Sequence, residues 1–263
     1  MRVVISLEYD GSPYWGWQRQ STRMGIQPVV EKALSLVADE PVQVFCAGRT
    51  DKGVHATTQV IHFNAEKVRS ERAWVMGANA YLPKSIRVHW AREVSSDFHA
   101  RFSAMRRRYC YILQVSLIPP AILEPYVSWR YGQAEDLDEI AIVKACESLL
   151  GQQDFSSFRA ADCQAKTPIR TIHVCRFSRQ NNLFILDIEA DGFLHHMVRN
   201  IMGVLIEIGL GKKPAKWIDE VLGARDRRAA SKTAVPNGLY LTHITYPAHF
   251  ALPIVLRRPL FLR

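Results

Sequence analysis

The chain predicts an α+β fold built as two halves, and three observations carry that prediction. Segments with an apolar period of two interleave with segments whose apolar period is 3.6. Glycines and prolines cut the periodic stretches, and the proline-containing stretch 117–126 falls near the middle. The length of 263 residues suits one large domain or two of about 100–150 residues, either with enough chain to bury a core.

Residues 2–9 read as a strand, followed by an aromatic and glycine-rich loop from Tyr9 to Gln20. Ile26, Val29, Val30, Ala33, Leu34 and Val37 repeat at helical spacing, with Pro28 near the helix start. Two β-prone runs, 42–45 and 60–63, flank a short loop. A helix over about 70–80 and strands over 86–94 and 106–115 complete the half. Helices and strands in this order, joined by hairpins, fit a ferredoxin-like α+β sandwich.

The second half opens with a helix whose apolar stripe is Leu137, Ile140, Ala141, Ala145 and Leu149, with Asp136 and Asp138 near its start and Gly151 at its end. A strand over 171–177, a turn at Gln180-Asn181-Asn182 and a strand over 183–190 follow. The longest apolar helix buries Met197, Val198, Ile201, Met202, Leu205 and Ile208. A short helix around Trp217, Val221 and Leu222, a basic loop with Arg225, Arg227, Arg228 and Lys232, a strand from 237 and an irregular tail end the chain. The expected organisation is an N-terminal subdomain over 1–116, a connection over 117–135 and a C-terminal subdomain over 136–263. Their sheets are expected to join into one continuous, mainly antiparallel sheet with helices packed on it and the active cleft between the halves.

Net charge is +9 and the isoelectric point about 9.5, a balance that favours polyanionic partners. The five cysteines show no C-x-x-C and read as reduced core residues of a cytoplasmic protein. No apolar run approaches 18 residues, the N-terminus has no signal-peptide pattern, and there is no Walker loop, G-x-G-x-x-G or zinc cluster. No membrane partner, metal or cofactor is expected.

The chemistry concentrates around Asp51. Cys46-Ala47-Gly48-Arg49-Thr50-Asp51-Lys52-Gly53-Val54-His55-Ala56 reads as strand, tight loop, strand. Two glycines allow sharp turns and close approach of another backbone, which holds one carboxylate beside Arg49, Lys52 and His55. Such a carboxylate stays ionised and can act as nucleophile or base. The alternative is an ordinary Asp-Lys-Gly turn with solvated charges.

Asp97-Phe98-His99-Ala100-Arg101-Phe102-Ser103 and Arg106-Arg107-Arg108-Tyr109-Cys110-Tyr111 form a second loaded segment. Arginines with tyrosines supply guanidinium groups for phosphates and flat rings for unstacked bases, although a solvated basic edge strand reads the same way. On the apolar helix after Asp191-Gly192-Phe193-Leu194-His195-His196, Arg199 needs a carboxylate partner, near or far in sequence. His195 and His196 are expected about 100° apart on that helix, without further ligands at zinc spacing.

Gly-Arg-Thr-Asp-Lys-Gly-Val-His-Ala, Tyr-Asp-Gly-Ser, Gly-Trp-Gln-Arg-Gln, Phe-His-Ala-Arg-Phe-Ser-Ala, Arg-Arg-Tyr-x-Tyr, Phe-Leu-His-His-Met-Val-Arg-Asn and Gly-Leu-Tyr-Leu occur in that family's order. Together they resemble the TruA family of tRNA pseudouridine synthases over about residues 3–246. The resemblance implies the pseudouridine synthase fold and a homodimer that binds tRNA. It implies isomerisation of uridine to pseudouridine at positions 38, 39 and 40 of the anticodon stem-loop, without cofactor. It makes Asp51 catalytic, links Arg49 to flipping of the target nucleotide, gives Tyr109 base stacking, pairs Arg199 with the catalytic aspartate and puts Leu239 beside the target base, with core packing as the alternative for Leu239. By the same resemblance Arg69, Phe98, His99, Ala100, Arg101, Phe102 and Lys166 contact RNA. A base-releasing glycosidase and a non-catalytic basic RNA-binding protein are the two rival readings.

Overall fold

The structure is a computed structural model that describes residues 1–259, 261 and 262. It is mixed α+β, with mainly antiparallel strand pairs. The chain divides into two compact units, Met1–Arg107 with Tyr240–Phe261, and Arg108–Leu239 with Leu262. The stretch 117–135, read above as a connection, lies inside the second unit, and the last strand returns to the first. No helix among the described residues is long and apolar enough to cross a membrane. The five cysteines are free.

In the first unit, β1 (Arg2–Tyr9) lies between β3 (His55–Asn64) and β4 (Ile86–Val94), antiparallel to both. The last strand of the chain, β10 (Leu239–Thr245), pairs β3 in parallel through Tyr240–His55 and Leu241–Ala56. Val3, Val4, Ile5 and Leu7 are all buried, so β1 is covered on both faces. Helices α1 (Ile26–Ala38) and α2 (Glu71–Tyr81) pack against each other, and α2 against β4. Ser70 caps α2, its side chain accepting from the Ala73 N–H at 3.1 Å.

The β-prone run at 42–45 forms almost no strand, because β2 covers only Phe45–Cys46. Val42 donates its N–H to the Ser35 hydroxyl and Val44 donates to the Glu31 carboxylate, both side chains of α1. Backbone donors already satisfied by a helix are not free for a ladder. Among its described residues the tail has no regular strand, yet it is tied down: the Arg257 N–H donates to the Thr242 carbonyl and the Thr57 hydroxyl to the Arg257 carbonyl.

In the second unit the strand order runs from β5 (Arg106–Val115) to β9 (Leu183–Ala190), β8 (Ile169–Gln180) and β7 (Gly151–Asp154). β8 and β9 form the expected hairpin, with Asn181 in the left-handed region at its turn. A short parallel strand, β6 (Ser128–Arg130), adds to β5. Helix α3 (Glu139–Ser148), capped by Asp138, packs on β8 and on α4 (Met197–Gly209); α5 (Trp217–Ala224) follows.

Two sequence expectations change here. The face that α3 buries is Ile142, Ala145 and Cys146, while Ile140 is 71% exposed. Leu137, Ala145 and Leu149 of the expected stripe are buried, and packing against α4 takes Ile142 and Cys146 in place of Ile140. A Cβ at Gly209 of α4 would lie 2.5 Å from Ile142 Cδ1, so the glycine makes room for that residue. The adjacent histidines are not on α4 at all. His196 precedes it in the left-handed region at φ 61°, and the His195 and His196 rings face each other with centroids 4.0 Å apart.

The loop after α5 is strapped to α4. Arg199 donates through Nε to the Ala234 carbonyl at 2.8 Å, and the Ala234 N–H donates back to the Arg199 carbonyl. A Cβ on Gly203 would sit 2.0 Å from the Lys232 carbonyl oxygen. Gly203→Ala is therefore expected to lose about 1–3 kcal/mol of stability by forcing this loop off the helix. Denaturant unfolding measures it, and a midpoint equal to wild type would show that the strap yields without cost.

Candidate active site

In the first unit the Asp51 loop leaves β2 and enters β3 through a closed turn. The Val54 N–H donates to the Asp51 carbonyl at 3.1 Å, and Gly53 occupies φ +75°, a conformation that favours glycine. Val54 and His55 are buried, Asp51 is half-buried, and Arg49 and Lys52 are exposed. The backbone therefore anchors both ends of the loop while its polar side chains meet solvent.

Thr50, Gly48 and Ala47, before Asp51, are held from behind. The Thr50 side chain is buried and hydrogen-bonds the Tyr9 hydroxyl of β1 at 2.7 Å. Gln59 of β3 donates through Nε2 to the Gly48 carbonyl at 2.6 Å. Arg107 donates to the Ala47 carbonyl at 3.0 Å and to the Arg101 carbonyl at 2.6 Å. That one guanidinium connects the aspartate loop to the 98–102 segment.

The aromatic loop after β1 packs onto the same turn. The Trp17 N–H donates to the Thr50 carbonyl at 2.9 Å. A Cβ on Gly16, which sits at φ +88°, would lie 2.7 Å from that carbonyl oxygen, and one on Gly11 would lie 2.0 Å from the Val54 oxygen. Only glycine lets two backbones approach this closely. Asp10 stands behind the loop. His55 Nδ1 accepts from the Gly11 N–H at 3.1 Å and lies 3.3 Å from Asp10 Oδ1. A nitrogen that accepts from Gly11 carries no proton for Asp10, so the ion pair forms only when the ring is protonated, whereas the Ser12 N–H and hydroxyl donate to Asp10 in either state. Burial raises the Asp10 carboxyl, but the hydrogen bonds from Ser12, together with that from His55 when its ring is protonated, outweigh it and bring the group down to about 2.

The 98–102 segment divides sharply. Phe98 and Ala100 are fully buried; Phe98 packs against Tyr246 and Phe250, and the Ala100 N–H donates to His62 Nδ1 at 3.1 Å. His99 is half-buried, while Arg101 and Phe102 are exposed. The buried pair fixes the segment, His99 Nδ1 accepts from the Arg101 and Phe102 N–H groups, and the Arg101 and Phe102 side chains meet solvent. Arg69 donates to the Val37 carbonyl at the end of α1 at 3.3 Å, a contact separate from the Asp51 loop.

The arginine run at 106–108 is less available than its sequence indicates. Arg107 is committed to the carbonyls named above, and Arg108 makes two 2.6 Å hydrogen bonds to Asp187, a paired arrangement that raises its pKa. Arg107 is thus a site-supporting residue that pattern reading assigned to phosphate instead. Nothing in the alternation of a strand shows that a guanidinium will fold back onto loop carbonyls.

In the second unit Tyr109 is buried and meets Phe193 edge-on, with ring centroids 5.0 Å apart at 85°. Arg199 is half-buried and donates through Nε to the Ala234 carbonyl. Leu239 is buried and follows Gly238, whose carbonyl accepts from the Ile112 N–H at 2.8 Å. His195 Nδ1 lies 2.8 Å from the Asp162 carboxylate, and the His195 backbone N–H donates to Cys163 Sγ. Lys166 is exposed in the loop before β8.

Comparison with known proteins follows the same lines. The family model described as tRNA pseudouridine synthase matches residues 5–103 and 145–247. The tRNA pseudouridine synthase A of Shewanella baltica is 50% identical over 262 residues, covering 100% of this chain and 99% of that protein. That of Shewanella loihica is 51% identical over 262 residues, with the same coverage. Among solved structures, a chain in "Crystal Structure of a Cbf5-Nop10-Gar1 Complex" is similar with TM-score 0.39 and 13% identity, over 92% of this chain and 48% of that one. This chain thus spans about half the length of that structure's chain.

The Asp10 hydrogen bonds make stability depend on pH. A carboxyl lowered in the folded state stabilises the fold above its ordinary value of 3.8, and the contribution is lost as pH falls toward 2. Asp10→Asn is expected to cost roughly 1 kcal/mol at neutral pH, discounted because the group is partly solvated, and nothing once both forms are protonated. Unfolding curves for wild type and variant between pH 2 and 7 check it; a constant gap across that range would show that Asp10 acts through packing and not through charge.

Proposed function

The chain belongs to the tRNA pseudouridine synthase family, and from that premise we propose that it isomerises uridine to pseudouridine at positions 38, 39 and 40 of the anticodon stem-loop, with Asp51 as catalytic residue. The observation that carries the reading is the Asp51 loop itself: a half-buried carboxylate on a backbone anchored by Thr50, Gly53 and Val54, between exposed Arg49 and Lys52. Family membership makes the protein an enzyme, which leaves the non-catalytic RNA-binding reading without support.

The reaction breaks the C1′–N1 bond, forms a C1′–C5 bond, and moves one proton from C5 while N1 gains one; no electrons are exchanged with a cofactor. A uridine in a stem must leave its stack before a protein carboxylate can reach the ribose. In this proposal the exposed Arg49 holds the distorted strand, and Tyr109 and Leu239 line the place of the displaced base. Asp51 then either attacks C1′ or removes a ribose proton, and in both routes it must enter ionised. Arg199 retains the role the resemblance implies, keeping that carboxylate charged. His99, Arg101, Phe102 and Lys166 are proposed to meet the tRNA, Arg69 to touch it at a distance from the Asp51 loop, and Phe98 and Ala100 to support these contacts from the core. The proposal includes a homodimer working in the cytoplasm, where tRNA is modified.

Asp51→Asn is expected to lower pseudouridine formation by at least about a hundredfold while tRNA still binds. Quantifying pseudouridine at each of the three positions after incubation with pure protein reads this directly. Near-normal turnover in the variant would remove Asp51 from the chemistry, and product at other positions would replace the proposed site.

The role of Arg199 has its own test. A double-mutant cycle on Asp51→Ala and Arg199→Met should show non-additive turnover, because either change alone disables the same charged group. Strict additivity, with good activity in Arg199→Met, would separate the two residues.

A further inference from the structure

The exposed lobe 18–24 lies beside the Asp51 loop and contains a charge arrangement that the proposed reaction does not yet use. The Arg23 guanidinium lies 3.2 Å from the centroid of the Trp15 ring, and Lys52 Nζ lies 3.6 Å from it. The two positive centres are therefore no farther apart than 6.8 Å, the sum of those distances. Neither makes a salt bridge to a carboxylate among the described residues. Arg23, Trp15 and Lys52 are all exposed. Two like charges held on one indole without a carboxylate partner repel each other, and an anion that reaches both relieves that repulsion.

The lobe is also built to stay in place. The Trp15 N–H donates to the Met24 carbonyl and Gln20 donates to the Trp15 carbonyl, which closes the lobe on itself. The Ile26 and Gln27 N–H groups donate to the Gly16 and Trp17 carbonyls, which seals its base. A Cβ on Gly25 would sit 2.4 Å from the Gln18 carbonyl oxygen, so the two sides touch. Lys52 follows Asp51 directly in sequence. A rigid pair of cations next to a reactive carboxylate can fix a polyanionic strand at a set distance from it.

We propose that Arg23 and Lys52, held on the Trp15 ring, form a clasp for a backbone phosphate of the RNA strand that enters the Asp51 loop. Trp15 is a positioning residue in this clasp: its ring is covered by cations, and its function is to hold them. The inference rests on the reading that RNA is the substrate, and it adds where one phosphate docks. A guanidinium and an ammonium on one phosphate make charge-assisted hydrogen bonds to different oxygens, which sets the strand's direction as well as its place.

The test measures tRNA affinity against salt for wild type, Lys52→Gln, Arg23→Gln and the double variant, with Lys144→Gln as a control of equal charge on the exposed face of α3. The double variant is expected to flatten the slope of log affinity against log salt by about one. It should also raise KM for tRNA roughly tenfold, with a smaller effect on kcat, since the clasp binds strand and does not touch the reacting atoms. Trp15→Leu, which keeps the apolar packing and removes the ring, should reproduce part of the slope change, and Trp15→Phe should restore it. Lys144→Gln should leave slope and activity at wild-type values. An unchanged slope in the folded double variant overturns the clasp, and so does an equal change in Lys144→Gln, which would make the effect one of net charge. A loss in kcat alone, at unchanged slope, likewise overturns it in favour of an effect on Asp51. Failure of the substrate reading is separate: wild type itself would then form no pseudouridine in tRNA.

Discussion

Trp17 donates its backbone N–H to the Thr50 carbonyl one residue before Asp51, and the rest of the first unit is arranged so that this bond can form. It requires the loop after β1 to lie on the loop before β3 at backbone distance. Gly16 and Gly11 make that approach sterically open, and the antiparallel pairing of β1 with β3 sets the register from which both loops start. Tyr9 at the end of β1 then reaches the Thr50 hydroxyl, and His55 at the start of β3 reaches back to Gly11. The loop that carries the aspartate is thus placed by strand ends and backbone bonds. In the proposed reaction such a support limits reorganisation of the aspartate during turnover.

The cationic side chains show why a positive net charge is a poor map of a nucleic-acid surface. Arg107 ties loop carbonyls together, Arg108 is forked onto Asp187, and Arg87 donates to carbonyls at the end of α2. These guanidinium groups hold the protein's own backbone and carboxylates. Arg23, Arg49, Lys52 and Arg101 differ in kind, because they are exposed around a loop whose backbone bonds are already satisfied. Charge that is not consumed by the fold is what a polyanion can use.

Much of the fold was legible because its signals are local. β1, β4 and β5 follow apolar runs bounded by loop residues, α2 begins at a serine cap, and Asn181 marks the β8–β9 turn. The expectations that changed were those decided by neighbours. The run at 42–45 lost its ladder to Ser35 and Glu31, and α3 turned Ile140 outward because Gly209 admits Ile142. His195 and His196 left the helix because His196 takes a left-handed conformation that no periodicity announces.

By itself the sequence determined the α+β class, most element positions and the string from Cys46 to Ala56 that resembles a known catalytic loop, since spacing and residue type suffice for these. Tertiary structure alone decided which groups hold that loop: Arg107, Gln59, Tyr9 and the backbone of Trp17 come from three other segments of the first unit and meet it only on folding. It also decided that Phe98 and Ala100 are core while Arg101 and Phe102 are surface, within five consecutive residues. The physical reason is that a side chain's role depends on whether packing removes it from water. Local sequence fixes what a residue can do, and distant residues fix whether it is left free to do it.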